Sequence, residues 1–112
     1  MMSTLLPQDL NDNPIPALRM KSSGAHNITV GATSARNSTA FDSATQIISL
    51  YTDVPVYLAF GDSSVTATSS DHYFPAGIYY DVSIGGDGSA HYTHVAVLQV
   101  SSAGTFYISE KE

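Results

Sequence analysis

The sequence is short of charge, and above all of positive charge. Charged residues make up 12% of its 112 positions, about half the usual quarter of a globular chain. Arg19, Lys21, Arg36 and Lys111 are the only fixed cations, and the net charge is −6. Binding a phosphate backbone needs clustered cations that release counterions, so nucleic acid is not expected as a partner. The same scarcity leaves no polybasic segment to hold an anionic membrane. Cysteine is absent, which excludes disulfides and thiolate metal sites. No apolar run approaches the length of a membrane-spanning helix. The first residues, Met1-Met2-Ser3-Thr4-Leu5-Leu6-Pro7, lack the basic start and apolar run of a signal peptide. The expectation is a chain that stays in the cytoplasm where it is made, unless it leaves as part of a particle.

Serine, threonine, alanine, glycine and tyrosine fill the space left by the missing charges. A surface of hydroxyls and tyrosines with little lysine and glutamate suits packing against another protein. The length allows one domain, and at this size its core needs efficient packing or support from neighbouring subunits.

Residues 1–24 differ from the rest. Pro7, Pro14 and Pro16 stand among Asn11, Asp12 and Asn13 with no sustained period, which favours extended backbone over helix. Leu5, Leu6, Leu10, Ile15 and Leu18 are spread along this segment, more aliphatic side chains than a solvated linker needs. We read it as an extended arm that either packs back on its own domain or binds a partner through those five residues.

From residue 25 to 112 the period becomes two. Ile28, Val30 and Ala32 alternate with polar residues. Gln46 to Thr52 is a β-branched and aromatic run. Val54, Val56, Leu58 and Phe60 form one face, and Ile78, Tyr80, Val82 and Ile84 another. Val95, Ala96, Val97 and Leu98 are apolar on both sides, as in a strand buried on both faces. Pro55 places a strand start, or a sheet edge, at its position. Pro75-Ala76-Gly77 reads as a type I turn, and Gly85-Gly86-Asp87-Gly88 as a hairpin turn. The spacing predicts an all-β fold: a small antiparallel β-sandwich or barrel, jelly-roll or immunoglobulin-like, of about seven strands.

Motifs that carry chemistry are weak. His91 and His94 are three apart, an odd offset that sends strand side chains to opposite faces, so no shared metal is expected. Gly61-Asp62-Ser63-Ser64 resembles the nucleophile block of one serine esterase family. Asp71 and His72 do not stand at that family's spacing, and the chain is too short for its scaffold. The glycines at 85 to 88 precede a strand, whereas a phosphate loop requires a helix. No enzyme activity, cofactor or metal is therefore expected. Asn27-Ile28-Thr29 and Asn37-Ser38-Thr39 match the glycosylation pattern. Seven tyrosines remain, at 51, 57, 73, 79, 80, 92 and 107. Core and rim duty accounts for most of them, and Tyr79 and Tyr92 are candidates for a recognition surface.

From Ser38 to Glu110 the chain resembles a known group. The stretch opens with Ser38-Thr39-Ala40-Phe41 and Gln46-Ile47-Ile48-Ser49-Leu50. It continues through Val56-Tyr57-Leu58-Ala59-Phe60-Gly61 and Tyr73-Phe74-Pro75-Ala76-Gly77. It ends with Val95-Ala96-Val97-Leu98 and Gly104-Thr105-Phe106-Tyr107-Ile108-Ser109-Glu110. This order is similar to small β-sandwich virion proteins of tailed bacteriophages. The resemblance implies a non-enzymatic capsid decoration or cement protein, a homo-oligomer on the virion surface bound to the major capsid protein or neighbouring virion subunits. A head–tail connector or tail component is the alternative within the same group. A host-surface or glycan-binding module is the alternative from a different class. The longer stretch from Gly85 to His94 departs from the pattern, and residues 1–24 have no counterpart in it.

Overall fold

A computed structural model describes residues 18–86 and 88–112. Leu5, Leu6, Leu10 and Ile15 lie outside the described residues. Eight strands are present among the described residues: β1 (Met20–Val30), β2 (Ala35–Arg36), β3 (Ile47–Thr52), β4 (Val56–Gly61), β5 (His72–Phe74), β6 (Tyr80–Ser83), β7 (His94–Gln99) and β8 (Gly104–Lys111). They form two four-stranded sheets, ordered β1-β8-β3-β6 and β2-β7-β4-β5, with every pairing antiparallel. This interleaved order is the jelly roll, two Greek keys folded into a sandwich. It decides between the two sandwich topologies that the periodicity left open.

The core follows from the alternation. Ile28, Val30, Ile48, Leu50, Phe106 and Ile108 point inward from the first sheet. Val56, Leu58, Phe74, Val95 and Val97 meet them from the second, with the Phe74 and Phe106 rings edge to face at 6.1 Å. Sheet contacts of this kind bury side chains of both inner faces in one layer.

Pro55 immediately precedes β4, and β4 is an internal strand between β7 and β5, so the proline marks a strand start. β1 opens at Met20, inside the segment read as an arm. Its register shifts between Met20 and Ala25, where Ser23 adopts φ 63°, a left-handed value uncommon for a non-glycine residue. Such a bulge bends the strand. The strands that flank the glycine segment, β6 and β7, do not pair with each other as the sequence reading of a hairpin requires, although the Tyr92 N–H donates to the Ile84 carbonyl at 2.9 Å. β6 pairs with β3 and β7 pairs with β2 and β4, so the segment carries the chain from one sheet to the other. Gly85 at φ 85° needs its missing side chain, because a Cβ there would strike the Ala90 carbonyl.

Candidate interaction surface

The outer faces of the two sheets differ. On the second sheet, Gly61, Ala59 and Tyr57 of β4 point outward beside His94, Ala96 and Leu98 of β7. The segment 62–71 folds back across part of this face. Val65 stands over Gly61, where an added Cβ would come within 2.9 Å of its Cβ. Arg36 of β2 donates to the Val65 carbonyl at 3.1 Å, and the Ala67 N–H donates to Ser34 Oγ at 2.8 Å. This strap explains why Ala96 and His94 are buried although they face away from the core. Burial holds the His94 pKa below its ordinary value, and the nearby Arg36 guanidinium pushes the same way.

The strap begins with the Asp62 turn. Asp62 Oδ1 accepts from Ser64 Oγ at 2.6 Å and from Ser64 N–H at 2.9 Å, and these bonds lower the Asp62 pKa. The residues that resemble an esterase block thus form an Asx turn. His91 and His94 are not brought together as a site. His91 Nε2 bonds the Thr45 carbonyl at 2.6 Å, while His94 Nδ1 bonds Thr93 Oγ1 at 2.8 Å.

The outer face of the first sheet carries Asn27 and Thr29 from β1, Tyr107, Ser109 and Lys111 from β8, and Ser49 and Tyr51 from β3. Tyr79, just before β6, and Asp81 complete it. Tyr51 and Tyr107 are directly paired across β3 and β8, with ring centroids 6.1 Å apart. The Lys111 ammonium lies 5.4 Å from the Tyr79 ring centroid, within cation–π range. Ser49 hydrogen-bonds the Asp81 carboxylate and is buried, although it points away from the core.

Tyr79 is 53% exposed and Tyr92 41% exposed, as a recognition role requires, but they do not share a surface. Tyr79 belongs to the face just described. Tyr92 precedes β7 and stacks on Phe60 of the second sheet at 5.7 Å. Leu18 is exposed and lines a shallow hollow of about 300 Å³ with Ile47, Lys111 and Glu112. The contact that Tyr79 makes with Lys111, and the Tyr51–Tyr107 pair on the same face, were not grouped by sequence reasoning. Their alternation marked each as outward-facing, but strand order was needed to make them neighbours.

A second cluster gave no signal in the sequence. Glu110 of β8 is buried and accepts from Thr45 Oγ1 at 2.6 Å and from Asp42 N–H at 2.9 Å. His26 Nε2 meets its other oxygen at 2.7 Å. Burial pushes the Glu110 pKa up, but the bonds from Thr45, His26 and Asp42 together outweigh it and leave the value below the ordinary one. Asn37, also buried, joins its own loop to the start of β7. Its Nδ2 donates to the Thr39 and Thr93 carbonyls at 2.7 and 3.3 Å, and its Oδ1 accepts from Val95 N–H at 2.9 Å. The glycosylation match at this position falls on an enclosed amide.

No protein-family model matches this chain, and no curated protein matches it. A solved structure of Bacillus endospore appendages, described as disulfide-linked pili, is similar to it at 19% identity and a TM-score of 0.48, covering 85% of each chain. In class, the protein is an all-β jelly-roll sandwich of two antiparallel sheets.

Proposed function

We propose that this chain is a non-enzymatic structural subunit that acts by assembling with further copies of itself and with neighbouring proteins. The observation that carries this reading is the position of β1. It is an eleven-residue strand at the edge of its sheet, and it follows directly on the aliphatic-rich residues 1–18. Beyond the bulge, Ala25–Val30 pairs regularly with β8 on one side. Among the described residues its other side has no strand partner. A free edge of that kind accepts a further strand through main-chain hydrogen bonds. The low charge and the exposed tyrosines favour protein contacts in the same way.

In its finer form the role is that of a capsid decoration or cement protein on the virion surface, bound to the major capsid protein lattice. The resemblance from Ser38 to Glu110 supports that station. On a lattice, many individually weak contacts become collectively strong. The test is co-sedimentation of the full chain, and of a chain lacking residues 1–17, with assembled capsids. The full chain is expected to bind in high copy number, and the folded truncated chain to bind weakly. Equal binding by both would remove the arm from the account, and binding by neither would remove the capsid.

A further inference from the structure

We infer that the outer face of the β1-β8-β3-β6 sheet, centred on Tyr51, Tyr107 and Tyr79, is the surface through which one copy of this chain packs against a second. The inference rests on the assembling role proposed above and names the surface and partner for it. Three observations carry it.

The first is charge. The chain bears ten acidic and four basic residues, so two copies brought together at random repel. On this face the charges are Lys111 and Asp81, one of each sign. The ends of the face are bounded by the Arg19–Glu112 ion pair at 3.1 Å and by Asp53, whose carboxylate is held by the Thr105 N–H at 2.8 Å. A neutral interior with acidic charge elsewhere makes this a face on which a copy of itself meets no net repulsion.

The second is relief. The second sheet carries the 62–71 strap across its outer face, which breaks any flat approach. No described segment crosses the outer face of the first sheet. Tyr51 and Tyr107 stand on paired strands with their rings against each other, and the Tyr79 ring is held by Lys111, so little side-chain freedom is lost when a partner covers them. Tyrosine with small hydroxyl residues is also the composition of recognition surfaces that bind with modest order and little charge.

The third is size. Strand β8 has eight residues, and a four-stranded face of that length covers roughly 500 Å² before side-chain relief is counted. A standard interface takes about 800 Å² from each partner. A pair of such faces therefore gives a weak, concentration-dependent contact, the kind that repetition in an assembly reinforces.

The test is sedimentation velocity of the full chain across a wide concentration range, with far-ultraviolet dichroism as the check on folding. The wild-type chain is expected to self-associate as concentration rises. The double variant Tyr51→Ser with Tyr107→Ser is expected to do so about tenfold more weakly or less. Tyr73→Ser, on the other sheet, is expected to leave the association unchanged. Should the double variant fail to fold, Lys111→Glu tests the same face, because it replaces the balanced pair by two negative charges and is expected to weaken association likewise. Association unchanged by these variants, or abolished by removing residues 1–17 alone, overturns the inference while leaving the assembling role intact. A wild-type chain that is monomeric but binds capsids overturns this face only, and one that is monomeric and binds no lattice overturns both. Loss of binding to a glycan array in the double variant, with the wild-type chain monomeric, would likewise overturn self-packing and assign the tyrosines to sugar.

Discussion

At the residue scale, the buried polar groups tie the loops to the sandwich. Asn37 satisfies the Val95 N–H and two carbonyls from one side chain. Asn37→Ala leaves a buried donor unpaired, at a cost of about 1–3 kcal/mol, and urea unfolding monitored by dichroism should show the lower midpoint. Glu110 sets part of the acid limit. Its pKa is held below the ordinary 4.5, so the stability it adds is present above about pH 4.5 and is lost as pH falls through its folded value. Glu110→Gln is expected to lower stability at neutral pH and to flatten the acid branch of the unfolding profile. An acid branch as steep as in the wild-type chain would contradict the assignment. Neither residue was legible in the sequence. Glu110 lies 84 positions from His26 and 65 from Thr45, and only the pairing of β8 with β1 on one side and β3 on the other unites them.

At the scale of elements, the alternation of β4, the β-branched run of β3 and the two-sided apolar run of β7 placed these strands well, and each buries an inward-facing row. β2 and β5, of two and three residues, are too short to show a period, so the strands found among the described residues exceed the roughly seven that the spacing predicts. The glycine segment at 85 to 88 shows a different limit. Turn chemistry reports a bend but not whether the next strand pairs with the last or crosses to the other sheet. Ile78 and Tyr80 share the parity of Val82 and the buried Ile84, yet both are exposed. They lie at the start of an edge strand, where neighbours cover only part of the row. Gly104 is a sharper test of packing between elements. A Cβ there would strike the Asp53 carboxylate and approach Val54 Cγ2 to 2.6 Å. Gly104→Ala is expected to destabilise by about 1–3 kcal/mol, read as a lower thermal midpoint, whereas Gly31→Ala, with open space around it, should change little.

At the scale of the whole molecule, the jelly roll places β1 and β6 at opposite edges of one sheet. It leaves that sheet's outer face open and straps the other sheet's outer face with residues 62–71. Composition already pointed to contacts with other proteins, but which face offers them depends on strand order. Tyr79 was identified as a candidate without its neighbours, and Tyr92 as its companion although it packs against the other sheet. The central claim is that the chain works by assembly. Its most direct test is the absolute mass of the untagged chain by light scattering, measured on a concentration series. The account predicts a mass that rises from the 11.9 kDa of one chain toward whole multiples of it. A mass that stays at that of one chain at every concentration, with no binding to capsids added to it, would contradict the account.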